Sequence, residues 1–525
     1  MNSLTRRLTL VLALSLICLS SCTKQGSVPE ETTLQVNLGS EPPSLDWGVA
    51  TDSTSHFITQ QLGVGLFEFD KDLNIVPVMV KKYESSPDKL RWVFHLRDDV
   101  YWTDGKKVVA GDYEYAWKRI LDPKTASERA QYFFILKNGQ DYQSGKIKDS
   151  RLVGVKALDD VTLEVLLEKP KAHFLVIFSA PFTFPIRKDV IEKHGDKWTE
   201  PQNIVTNGPY KLENWEHDYR ITLVRNENYF GPKPKIKKIV SFMVNEQQTQ
   251  LNLYESKKID LIHENLPSID IPKLEKRKDF HRYPLLATYY YGFNVTKPPF
   301  TDPRVRKAFS MAIYREEIVK LVKGGQTPIT TWMPPGMKEY NSELGVKNDI
   351  AAAKKLLAEA GYPEGKGLPK IILAFNTSEG HQMIAENVQF QLKKNLGIEV
   401  KLENMEWKVF LKNLETDPPQ MFRMGWIGSP DPDDFMNIFL SDSTQNRTKW
   451  KNAKYDEFVK AAMSEFDPQK QKKLYDEAQK ILVMEEIPIM PFYAYTQNFL
   501  VRPYVEDLLI NAVKDLQFKT AYLNY

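Results

Sequence analysis

Arg423 sits in an apolar, aromatic-rich run from Met421 to Trp426 that has the composition of a buried strand. A guanidinium keeps its proton in proteins and carries five donors, so a buried one must meet a carboxylate or several acceptors. The partner is either a structural acid or the carboxylate of a ligand. Catalytic chemistry, by contrast, lacks its parts. No Gly-x-Ser-x-Gly elbow is present, and His263-Glu264 lacks the second His of a zinc protease site. Gly361-Tyr-Pro-Glu-Gly-Lys366 is one residue short of a phosphate-binding loop and follows a helical pattern rather than a strand. Eight His in 525 residues, and no Cys pair in a metal-ligand spacing, leave little for metal capture. The expectation is a binding protein without enzymatic activity, metal or cofactor.

The elements that must hold Arg423 follow from local pattern. After Trp426 the chain breaks at Gly428, Ser429, Pro430 and Pro432, then recovers as a helix from about Asp434. A strand running through a Gly/Pro loop into a helix is how α/β domains present ligand contacts. Val161 to Leu167 and Ile398 to Leu402 alternate with period two, as half-buried strands do. Asn348 or Asp349 caps a helix with Leu356, Leu357 and Ala360 on one face, ended by Gly361 and Pro363. Asp467-Pro468 opens another, with Leu474, Ala478, Ile481 and Leu482 inward. Residues 92–119 predict a strand from Trp92 to Leu96, a short one from Val100 to Trp102, a turn at Asp104-Gly105, and a helix from about Asp112. Interleaved strands and helices without an internal repeat make the fold class α/β.

The length allows two or three domains, and hydrophobic content of 42% with 26% charged residues is that of an ordinary folded chain. Arg6 and Arg7 precede an apolar stretch from Leu8 to Leu19, too short to span a bilayer. Leu19-Ser20-Ser21-Cys22 resembles a bacterial lipobox. Cleavage before Cys22 makes residues 1–21 a signal peptide, acylates Cys22, and leaves 22–31 as a lipidated tether. Cys18 departs with the leader, so no disulfide remains. Without Arg6 and Arg7 the net charge falls from +3 to +1, and nothing argues for nucleic acid.

The block at 92–119, WVFHLRDDVYWTDGKKVVAGDYEYAWKR, closely resembles the signature of extracellular solute-binding proteins of the peptide and nickel type. Gly154 to Asp160, Asp196 to Thr199, Asn203 to Trp215, Thr288 to Tyr291, Pro299 to Arg306 and Leu356 to Gly361 agree in order. Arg423-x-Gly425-Trp426 with its Pro-Asp-Pro turn looks like the cleft loop of oligopeptide-binding proteins that feed importers of the ATP-binding cassette (ABC) type. The resemblance implies a two-lobed clamp of the periplasmic-binding-protein kind with an additional inserted domain. Domain I would comprise 32–70, 182–285 and 494–525, domain II 71–181, and domain III 286–493, with hinge crossings near 285 and 493. It also implies a monomeric, lipid-anchored receptor, periplasmic or at the cell surface, that delivers short peptides to a membrane permease. A receptor of the same fold for a nickel chelate or a modified sugar is the alternative, and an envelope chaperone or hydrolase the one outside the class.

Carried over residue by residue, the resemblance assigns Gly425 and Trp426 to the strand that pairs with ligand backbone, and Trp407 to the wall of a side-chain pocket. Arg423, His381 and Lys323 match positions that meet the carboxylate end of peptides of different lengths. One residue departs from the pattern: Ser429 stands where relatives carry the Asp that binds the peptide's α-ammonium, and the loop is one residue shorter. Arg129 replaces a cleft tyrosine and Thr51 an acid. Asp431, Asp433 or Asp434 takes over the lost role, or all three are surface acids in a turn. Altered recognition of the peptide N-terminus is therefore expected.

Overall fold

The computed structural model describes residues 32–263 and 266–525; the leader, Cys22, the tether and Glu264 lie outside them. Two long antiparallel strands, Phe280–Phe293 and Ile489–Val501, run through its centre. On one side of this pair come Leu261–Ile262, Thr33–Asn37, Lys238–Phe242, Arg220–Arg225 and Tyr210–Glu216. On the other come Met421–Ile427, Ile371–Asn376 and Val400–Met405. The ladder between the long strands slips between Pro284 and Thr288, and again between Tyr289 and Tyr290. Pro284 has no N–H to donate there, which is where a ladder tolerates irregularity.

Each half of the sheet has its own core. Leu34, Val36, Leu223, Ile239 and Phe499 pack in one, and Phe293, Phe309, Leu373, Val388 and Phe492 in the other. A separate four-stranded antiparallel sheet, in the order Val80–Ser85, Arg91–Leu96, Thr162–Leu166, Val155–Asp159, carries the helix Ala110–Leu121. The conspicuous 92–119 block turns out to be a packing unit. Asp112 accepts the Trp102 indole N–H and the Val109 amide, both at 3.0 Å, closing the first turn of that helix. Trp117 stacks on Phe178 at 4.9 Å and donates its indole N–H to Thr183 O at 2.9 Å.

Caps appear where the sequence places them: Asp349 accepts the Ala352 amide, and Asp467 those of Gln469 and Lys470. Three elements differ from expectation. The strand at 100–102 reduces to a single bridge between Tyr101 and Lys107, because the Asp104-Gly105 turn closes too soon for a ladder. The strand expected from Ile398 begins at Val400, since Ile398 follows the left-handed Gly397 that ends the preceding helix. The helix expected from Asp434 is one turn, Asp433–Met436, followed by a 3-10 turn at Asn437–Phe439.

Candidate ligand-binding cleft

Met421–Ile427 pairs along its whole length with Phe280–Phe293, with Tyr289 opposite Gly425 and Thr288 opposite Trp426. Its other edge meets Ile371–Asn376 only at Met421 and Phe422. From Arg423 to Ile427 that edge has no strand partner among the described residues, and it lines a cavity of about 860 Å³. An open edge presents unpaired backbone donors and acceptors. Gly425 leaves room there: a Cβ at this position would lie 2.7 Å from the Tyr495 hydroxyl oxygen.

Arg423, only 8% exposed, donates through Nη1 to Asn376 Oδ1 (3.1 Å) and through Nη2 to the Tyr495 hydroxyl (2.6 Å). Its guanidinium carbon lies 4.9 Å from the centre of the Tyr289 ring. No structural acid pairs with it among the described residues, and its Nε is buried without a partner. Trp426 Nε1 is likewise buried and unpartnered. His381 lies in the first turn of the helix Glu379–Leu396, after the N-cap Ser378, with Nδ1 3.4 Å from the Tyr289 hydroxyl. Burial, and then the Arg423 charge, push the His381 imidazole well below its usual range, so it faces the cleft uncharged. Trp407, the first residue of Trp407–Thr416, brings its indole nitrogen to 3.5 Å from Asp52 Oδ1 across the cleft.

Arg129, His381, Trp407, Arg423, Gly425, Trp426 and Ser429 all line the one cavity, and Lys323 does not. Lys323 is the left-handed residue (φ 56°) that ends the helix Arg315–Val322, and its side chain is exposed; its neighbour Val322 faces the cavity instead.

The opposite end is crowded with charge. The Ser429 amide and the Tyr132 hydroxyl each donate to Asp434, both at 2.7 Å. Asp431 and Asp433 are buried rather than surface acids, and both face Lys171. Its Nζ is 3.1 Å from Asp431 Oδ2 and in direct contact with Asp433, which also accepts the Tyr475 hydroxyl. Burial opposes the Lys171 charge, but the two carboxylates outweigh it and hold the ammonium above its usual range. Burial and the neighbouring Asp433 raise Asp431, because two carboxylates share one ammonium. Arg129 donates Nε to Ala50 O at 3.0 Å, next to Thr51, and lies 5.2 Å from the Phe182 ring centre.

Sequence reasoning missed Asn376, Tyr495, Tyr132 and Lys171. Tyr495 carried a weak signal as a tyrosine in an alternating strand. Lys171, in Lys169-Pro170-Lys171, carried none. The 128–171 region also meets the 431–447 region through Glu128–Arg447, Gln140–Asp442 (3.0 Å) and Ser443–Gln131 (2.5 Å).

A cavity enclosed between two halves of one sheet, with an inserted body closing over it, defines a solute-binding clamp. Residues 74–447 match the model for bacterial extracellular solute-binding proteins, family 5 (middle), and the chain belongs to that family. The periplasmic oligopeptide-binding protein OppA of Salmonella typhimurium is 37% identical over 489 residues, covering 91% of this chain and 89% of that protein. A structure of the murein tripeptide-binding protein MppA of Escherichia coli, 32% identical, superposes with a TM-score of 0.90 over 94% of this chain and 99% of that one. The unliganded open form of MppA gives 0.65 over 94% and 98%. The fold is thus the α/β two-lobed clamp with an inserted domain, in an arrangement unlike that open form.

Proposed function

We propose that this chain is a lipid-anchored receptor that captures short peptides in the cleft and delivers them to the permease of an ABC importer. One observation carries the reading. The strand edge from Arg423 to Ile427 is open onto the cavity and flanked by two buried donors without partners, Arg423 Nε and Trp426 Nε1. An extended peptide laid along Gly425 and Trp426 adds a strand, so its backbone supplies affinity whatever its side chains are. The ligand's carboxylate end meets Arg423 beside the uncharged His381, and Trp407 walls a side-chain pocket. Lys323 serves only a ligand that reaches past Val322. At the Ser429 and Arg129 end the amine-binding acid is gone, so recognition of the N-terminus differs from that of OppA-type receptors. A cavity of about 860 Å³ falls in the ~300–1,000 Å³ range of small-ligand sites.

The domains proposed are 32–70 with 182–285 and 494–525, then 71–181, then 286–493. The hinge lies at the two crossings near 285 and 493, beside which the long strands slip register, and closure rotates the halves about them. The receptor acts as a monomer, without cofactor or nucleic acid. The test is mass spectrometry of ligand released on denaturing freshly purified protein, with melting temperatures measured over a peptide series. Released peptides and a shift that rises with peptide concentration are expected. If no peptide is released and none shifts the melting temperature, the reading fails.

A further inference from the structure

Asp431, Asp433 and Asp434 are the acids closest in sequence to Ser429, and each already has a partner from the chain itself. Asp434 receives the Ser429 amide and the Tyr132 hydroxyl. Asp431 and Asp433 share Lys171, and all three of those side chains are at most 6% exposed. Glu128, facing the same cavity, is taken by Arg447. The lysine comes from another part of the chain, 262 residues from Asp433, and lines the same cavity as the two acids.

Resting on the peptide-receptor reading, we propose that Lys171 determines specificity at this end of the cleft: its ammonium occupies the place of a ligand amine between Asp431 and Asp433, so the cleft takes ligands whose adjoining end bears no free amine. An ammonium tethered to the chain competes at high effective concentration with any free one, and a ligand amine gains nothing by arriving where the charge is already balanced. A second observation points the same way. Arg129 lies over Phe182 and spends its Nε on the Ala50 carbonyl, with no carboxylate in ion-pair distance among the described residues. A cation so placed repels an ammonium and suits an acyl oxygen or an acid. Ligands with an acylated, cyclised or acidic terminus are the chemical class selected.

The same ion triplet could instead be a bracket between the 171 region and the 431–433 loop with no say in ligand choice, and the test separates the two. Trialanine and N-acetyl-trialanine are titrated against wild type and Lys171→Ala. Wild type is expected to bind N-acetyl-trialanine at least as tightly as trialanine, and Lys171→Ala to prefer the free amine by about tenfold or more. Because Lys171→Ala strands two buried acids, Lys171→Met combined with Asp433→Asn, which leaves Asp431 alone, is measured beside it. In parallel, ethylammonium chloride is compared with tetramethylammonium chloride at equal ionic strength. Ethylammonium should raise the melting temperature of the variants and not of wild type, since only the variants have an unfilled ammonium position. Wild type losing more than about tenfold on acetylation overturns the proposal. So do variants that gain neither amine preference nor ethylammonium stabilisation. Should trialanine bind none of these proteins, the peptide reading is the one that suffers, and the ethylammonium comparison still decides the role of Lys171.

Discussion

Arg423 is held by an amide oxygen and a phenol, both neutral, and retains one buried donor with nothing to bind. A fixed charge so arranged is poised for an anion. Charge-assisted hydrogen bonds are worth about 1.5–3 kcal/mol each, so Arg423→Gln should weaken a bound peptide by roughly ten- to a hundredfold. The same variant should bind free and C-amidated peptide alike, whereas wild type should favour the free carboxylate; isothermal titration of both peptides checks this. His381 makes a prediction about acid. Its folded-state pKa lies below the ordinary 6.5, so the proton prefers the unfolded chain. The stability that His381 contributes is complete above about pH 6.5 and is lost as pH falls, by up to about 1.4 kcal/mol per pH unit. Urea unfolding at neutral and mildly acidic pH should show His381→Gln losing less stability on acidification than wild type, and equal losses would refute the assignment. The sequence made both residues visible, Arg423 by its apolar surroundings and His381 by resemblance. What it could not give was their partners, since Tyr495 lies 72 residues away from Arg423 and Asn376 lies 47.

The strand Met421–Ile427 was readable from its composition because a short apolar aromatic run between turn residues has few alternatives. Less could be read from the short helical turn after it. Pro430 and Pro432 shape a loop whose acids are pulled inward by a lysine from another part of the chain, and no local pattern encodes that pull. The strand's flatness at Gly425 is a specific requirement of the cleft. Gly425→Ala puts a methyl group 2.7 Å from the Tyr495 hydroxyl oxygen, which must move and release Arg423 Nη2. The expected result is at least a tenfold loss of peptide affinity, about 1.4 kcal/mol, with a melting temperature close to wild type. Adding Tyr495→Phe removes the crowding oxygen and should make the Gly425→Ala penalty smaller in that background. A thermodynamic cycle over the four proteins measures this, and full additivity would mean the two positions are not coupled.

Across the whole molecule, the sequence conveyed class and order of elements well, because caps, turns and alternation are local. The slip beside Pro284 and the meeting of the 128–171 and 431–447 regions depend on tertiary pairing and were not legible. Anchoring is a prediction at this scale. Cys22→Ser should leave a precursor-sized, unlipidated protein that still binds peptide, because Cys22 precedes the first described strand, Thr33–Asn37. Fractionation of cells with labelling by a fatty-acid probe checks it, and unchanged lipid labelling would exclude Cys22 as the site. The central strand Ile489–Val501 has one further consequence, for the order in which the molecule is made. It lies between Phe280–Phe293 and Leu261–Ile262, so neither half of the sheet is complete until residues beyond 488 have been synthesised. Gln61, near the beginning, likewise waits for Leu516 and Phe518. Long-range pairing of this kind folds slowly, and an unfinished chain exposes two strand edges at once. A chain stopped before Ile489 is therefore expected to be digested rapidly in a limited-proteolysis time course under which the full chain survives. The late arrival of this strand keeps the central sheet, though not the separate four-stranded one, unclosed for most of synthesis, and an unclosed sheet is easier to thread through a membrane pore than a finished one.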